Sequence, residues 1–187
     1  SYPDNVMVMR LTSDSKKGKL SRIISLESLH TDKTITADGH TITMTGYPTP
    51  VSGDKRVGDA WKNGLKYAQQ LVVKNKGGKI SVVDGTKLKV EDADEIIVLM
   101  SAATNYVQCM DDSYNYFSQE DPLEKVQATL HKVADKKYTA LLATHQKDYH
   151  SLYDRMRLNL GNLPEAPVAP TDSLLKGMDE NTNSEQE

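Results

Sequence analysis

A chain of 187 residues, 37% hydrophobic and 26% charged, can fill one core and carry an appendage; its apolar runs are strand-sized, too short for a spanning helix. A formal net charge of −3 with lysines scattered among acids gives no basic patch for nucleic acid. The single cysteine, Cys109, excludes an internal disulfide and a cysteine-cluster metal site. Strand signals then dominate the first hundred residues. Val6 to Leu11 is apolar on both faces apart from Arg10, as a central strand covered on two sides would be. Leu20 to Glu27 alternates with a mostly one-sided apolar face, and Tyr67 to Val73 carries Gln69 and Gln70, which imply a partly solvated face. Glu95 to Ala103 has the most buried pattern.

Two Asp-Gly pairs mark hairpins. A two-residue turn at Asp38-Gly39 would set Ile35 opposite Ile42, so register and apolar pattern agree. At Asp84-Gly85 a two-residue turn would set Ile80 and Val82 against lysines. A three-residue loop, Val83-Asp84-Gly85 with Gly85 at positive φ, instead sets Ile80 against Leu88 and Val82 against Thr86, and the pattern favours it.

The character changes after Thr104. Asn105 to Gln119 is rich in Tyr, Asp and Ser without a period, and predicts a long loop. Asp121-Pro122-Leu123-Glu124 opens a helix with an N-cap, a first-turn proline and an acidic third position; Leu123, Val126, Leu130 and Val133 form its buried stripe. A second helix, Tyr138 to Tyr153, would carry Leu141, Leu142, His145, Tyr149 and Leu152 on one face. The expected organisation is sandwich strands over 1–104, a loop over 105–121, a helical linker over 122–155, a short strand over 156–161 and an extended, proline-spaced tail over 162–187. The fold class is therefore mainly β: an incomplete antiparallel β-sandwich of the supersandwich type, then a pair of linker helices. The chain opens inside an expected strand, as a fragment of a longer protein would.

Chemistry is hard to find in the residues. There is no phosphate-binding glycine loop, Gly-x-Ser-x-Gly, His-Glu-x-x-His or calcium-loop pattern, so no cofactor or metal is expected. His145 and His150 leave different helix faces, and His145 reads as a core-edge imidazole bonded to a neighbour such as Asp148. Asp92 with Asp94, and Asp111 with Asp112, could be an acid and base pair, but such runs usually sit in solvated turns. The aromatic-rich loop is more informative, because flat rings beside acids and amides are what sugar recognition uses. The candidate carbohydrate contacts are Trp61, Tyr106, Asp111 and Asp112, within a loop that also holds Asn105, Tyr114, Tyr116 and Phe117. The competing expectation is that these aromatics pin the loop against the sandwich or a neighbouring domain.

The order of residues from Tyr2-Pro3-Asp4-Asn5-Val6-Met7-Val8-Met9-Arg10-Leu11-Thr12 resembles a strand in the N-terminal domain of α-L-fucosidase-type glycoside hydrolases of family ninety-five. The set His145-x-x-Asp148-Tyr149-x-x-Leu152-Tyr153-x-Arg155-x-x-Leu158-x-Leu160-Gly161 is similar to that family's linker helix and following strand, and Pro170-Thr171-Asp172 to its pre-barrel segment. Gly64-Leu65-Lys66-Tyr67, Gly77-Gly78-Lys79-Ile80 and Ala102-Ala103-Thr104 fall between them in the family's order. The resemblance implies a scaffold of a hydrolase from the secreted glycan machinery of a bacterium, with a periplasmic or secreted parent. Its partner would be an (α/α)6 catalytic barrel absent from this chain, and no catalytic residue would lie here. Glycan is a further possible partner; nucleic acid and membrane are not, and an exposed helical face could drive self-association. The alternatives are a free-standing carbohydrate-binding or adhesion sandwich, or a sandwich from a related hydrolase of another sugar.

Overall fold

A computed structural model describes residues 1–13, 19–48, 64–108 and 117–159, together with 172, 175 and 176. The chain divides into two units, Ser1–Leu152 and Tyr153–Glu187. In the first, a larger sheet contains β1 (Met7–Thr12), β3 (Lys33–Asp38), β4 (Thr41–Gly46), β5 (Tyr67–Lys76) and β8 (Glu95–Thr104), in the order β1-β8-β5-β4-β3. A smaller sheet orders β2 (Leu20–Ile24), β7 (Lys87–Ala93) and β6 (Lys79–Val83) as β2-β7-β6. All pairings are antiparallel.

The two sheets are made by folding one long hairpin over itself. β5 and β8 pair from Tyr67↔Thr104 to Lys76↔Glu95, and the same two arms continue as β6 and β7 in the other sheet. The bend falls at Gly77-Gly78 on one arm and Asp92 to Asp94 on the other, where the Asp94 N–H donates to the Lys76 carbonyl (2.7 Å). Gly78 is needed here, since its φ is +66° and a Cβ would strike the Glu91 carbonyl. Asp92, at φ 55°, sits in a bulge against β2, its N–H donating to Ser21 Oγ (3.1 Å). The folded-back tip reaches the edge strand β3, where Ala37 N–H donates to the Gly85 carbonyl (2.7 Å). Between the layers lies a core of Leu20, Ile42, Leu71, Val73, Leu88, Val90, Ala93 and Ile96.

The other face of the larger sheet is covered by α1 (Pro122–Val133), whose Asp121 cap accepts from Leu123 N–H (2.9 Å). Pro122, Val126, Leu130 and Val133 are buried, Leu123 half so, and they pack with Val6, Ala68 and Leu99. Lys74 of β5 donates to the Ala134 carbonyl at the end of α1, where a cation suits the helix dipole. Helix α2 (Tyr138–Tyr153) contributes Leu141 alone to this second core.

Several expectations are corrected. β1 is an edge strand, with Met7 60% and Met9 56% exposed, because β8 covers one edge and no described strand covers the other. β2 is likewise an edge, and the two border an open apolar cleft of about 410 Å³ lined by Met7, Met9, Leu11, Ile23, Ile24 and Leu26. Among the described residues, no further strand closes the sandwich on this side. Gln70 is buried, not solvated, and its amide is satisfied by Thr43 Oγ1 (2.7 Å).

Both hairpins keep the expected faces but shift their partners. The first turns on Gly39-His40, with Ile35↔Met44 and Ala37↔Ile42; Gly39 alone takes positive φ, as the first position of a type II′ turn requires. In the second the loop is three residues as expected, but it is Asp84-Gly85-Thr86, giving Ile80↔Val90 and Val82↔Leu88, with Asp84 and Gly85 both at positive φ. Leu142, His145, Tyr149 and Leu152 of α2 are exposed while Leu141 is buried, so the expected single face splits in two. In the second unit Met156 to Asn159 form no strand, since a strand needs a ladder partner and none is present among the described residues; the rest of 156–161 and most of the tail lie outside them.

Candidate functional site

β8 ends at Thr104, and the next residue, Asn105, is a heavily bonded amide. Asn105 is buried, 3% exposed. Its Oδ1 accepts from Lys66 N–H (2.7 Å), and its Nδ2 donates to the carbonyls of Gly64 (2.8 Å) and Ser118 (3.1 Å). Its backbone N–H donates to the Lys66 carbonyl (3.2 Å), and its own carbonyl accepts from Ser118 N–H (2.8 Å). Tyr106 then bridges Phe117 in antiparallel fashion. Phe117 lies against Gly64 so closely that a Cβ there would enter the ring.

Three pieces of chain therefore meet at this end of the larger sheet: the residues after segment 49–63, and both ends of segment 107–116. Of the expected carbohydrate contacts, Tyr106 is described and is 51% exposed at this junction. Trp61, Asp111 and Asp112, with Tyr114 and Tyr116, lie outside the described residues, as does Cys109. Phe117, the first described residue after segment 109–116, packs on Gly64 and bridges Tyr106. Asn105, expected among the sugar-facing amides, is instead a buried structural hub whose side-chain oxygen and both amide hydrogens are bonded to backbone. Sequence reading missed this because it weighed the loop's composition; the available signal was position, an amide placed directly where a buried strand ends.

The remaining candidates for chemistry disperse. Asp94 is at the sheet bend, paired with Lys19 (2.9 Å), and Asp92 is in the bulge, so both carboxylates belong to turns. Glu91 is held below the ordinary carboxylate range by Lys89 (2.7 Å) and then Lys79 (3.3 Å). Asp4, with its side chain 6% exposed, is lowered by its hydrogen bond from Lys136 (2.6 Å). Both shifts run downward, opposite to the raised carboxyl of a general acid. His145 is exposed rather than at a core edge, its ring 6.4 Å from that of Tyr149. It lines a cleft of about 750 Å³, with Val6, Ser101, Ala103, Leu141 and Leu142. No cluster of three metal-ligating side chains occurs among the described residues, and no helix there is long and apolar enough to cross a membrane.

Comparison with known proteins gives this architecture its relatives. The chain is 28% identical over 181 residues to "Probable alpha-fucosidase A" of Aspergillus niger, covering 94% of this chain and 21% of that protein. It is 31% identical over 174 residues to "Alpha-L-fucosidase 2" of Arabidopsis thaliana, covering 86% of this chain and 20% of that protein. The chain thus spans about a fifth of the length of either relative. One is fungal and one is from a plant, so neither carries the expectation of a bacterial source. Residues 1–109, more than half of the chain, match the model described as "Glycosyl hydrolase family 65, N-terminal domain", and the chain belongs to that glycoside hydrolase N-terminal domain family.

Proposed function

We propose that this chain is a non-catalytic scaffold portion of a larger glycoside hydrolase of the α-L-fucosidase type, of family ninety-five kind, whose reaction is carried out by a separate (α/α)6 barrel. The observation that carries the reading is coverage: two proteins named as fucosidases align along nearly the whole chain, which accounts for only about a fifth of each. On this reading the exposed stripe Leu142, His145, Tyr149 and Leu152 receives the barrel, because its spacing of three and four residues is that of a helix-packing seam. Trp61, Tyr106, Asp111 and Asp112 would be the candidates for glycan contact. The parent would be periplasmic or secreted.

The test is hydrolysis of an aryl α-L-fucoside. The purified chain should show no turnover above buffer, and the full product of its gene should show it. Turnover by the chain alone, abolished by a substitution within it, would overturn the proposal.

A further inference from the structure

Arg10 is the polar exception in the otherwise apolar run Val6 to Leu11, and its place in β1 gives it a task. Val6 and Val8 pack in the core beneath the helices, and the period of two puts Arg10 on the same side of the strand. Its Nε donates to Glu95 Oε2 of the neighbouring β8 (2.6 Å), and the same carboxylate pairs with a second guanidinium nitrogen. Held that way, the guanidinium stands over the ring of Tyr138, the first residue of α2, 5.2 Å from its centroid.

We propose that Arg10 is the positioning residue of α2, and that this helix is an arm clasped by cations where α1 is seated by its apolar face. Helix α2 gives Leu141 alone to the core beneath it, against Val126, Leu130 and Val133 from α1. A free helix of this length is marginal in water, so one leucine is a weak hold. The clasps supply the rest. Two residues before the ring, Lys136 donates to Asp4 Oδ1 (2.6 Å), so the chain leading into β1 and β1 itself both grip the start of α2. The second grip needs an arginine, which can bond Glu95 along its edge while presenting its flat face to a ring; a lysine ammonium cannot do both. These contacts stand whatever the parent protein does; that the steadied face receives the barrel rests on the function proposed above.

The experiment reads amide hydrogen exchange in β1, α1 and α2 for Arg10→Met, Tyr138→Leu, Tyr138→Phe and the double variant of Arg10→Met with Tyr138→Leu. Arg10→Met should speed exchange from Leu141 to His145 about threefold to tenfold and leave Val126 to Leu130 unchanged. Tyr138→Leu should do the same, while Tyr138→Phe, which keeps the ring face, should not. The double variant should go no further than either single change, because the two side chains make one contact. Adding Lys136→Ala to Arg10→Met should multiply the effect, because that grip is separate. Should Arg10→Met not fold, Tyr138→Leu against Tyr138→Phe carries the test from the helix side. Faster exchange in β1 with α2 unchanged would assign Arg10 to the sheet edge and overturn the proposal. So would equal effects of Tyr138→Leu and Tyr138→Phe, or single effects that multiply in the double variant. Release of α2 in this chain with unchanged aryl α-L-fucoside hydrolysis by the full gene product overturns the link to the barrel. A full gene product that hydrolyses no fucoside overturns the proposed function instead, and exchange alone then decides the clasp.

Discussion

Both helices carry leucines at helical spacing, and those leucines meet different fates. Helix α1 lays Pro122, Val126, Leu130 and Val133 onto the larger sheet, and its ends are fixed by Asp121 and by Lys74. Helix α2 is longer, yet commits only Leu141 to that core and leaves Tyr149 48% and Leu152 58% exposed. Burying a side chain of this size is worth about 1.5–3 kcal/mol. The first helix has therefore spent its apolar face inside this chain, while the second holds one in reserve. An apolar stripe at helical spacing looks alike in sequence whether the chain itself covers it, as on α1, or leaves it exposed, as on α2.

The sharpest contrast comes from removing one leucine from each helix. Leu130→Ala, at a site 3% exposed, should cost about 2–5 kcal/mol in urea unfolding. Leu152→Ser, at 58% exposure, should change stability by less than about 0.5 kcal/mol. Equal costs would erase the distinction. Next in size is the cap: Asp121→Ala should destabilise α1 by about 1 kcal/mol, visible as faster exchange in its first turn with α2 unaffected.

The smallest effect involves Lys136, in the link between the helices, and Asp4 (2.6 Å). Lys136 lowers the Asp4 carboxyl below its ordinary 3.8, so the pair's contribution is complete above that pH and is lost as pH falls through the lowered folded value. With Lys136 45% exposed, the contribution should be below about 1 kcal/mol. Lys136→Ala should remove it, flattening the acid limb of stability against pH. Glu91 shifts in the same direction, so the comparison must be between variant and parent chain across the same pH range. An unaltered acid limb would show that the link is not held by this pair.

Much of the fold was legible because strand faces follow a period of two, and that parity survived in both hairpins. The register was less so. At the first hairpin, Asp38-Gly39 pointed to a turn that would have put His40 opposite Ala37 and Lys33 opposite Met44. The structure moves the turn by one residue and pairs Ile35 with Met44 and Ala37 with Ile42, so apolar pairing outweighs a favoured turn dipeptide. The edge position of β1 was not legible, since a strand apolar on both faces looks the same whether or not its cover lies in the same chain. Nor was the role of Asn105, because its five bonds go to backbone groups whose proximity only the folded sheet creates.

The central claim, that α2 keeps its outer face for a neighbouring domain, is most directly tested by side-chain oxidation footprinting. Reactivity at Leu142, Tyr149 and Leu152 would be compared between this chain and the full product of its gene, with Leu130 as the buried reference. The account predicts high reactivity at all three in the chain alone and protection approaching that of Leu130 in the longer protein. Equal, high reactivity in both would mean that the stripe is not a docking face, and the scaffold role assigned to α2 would fall.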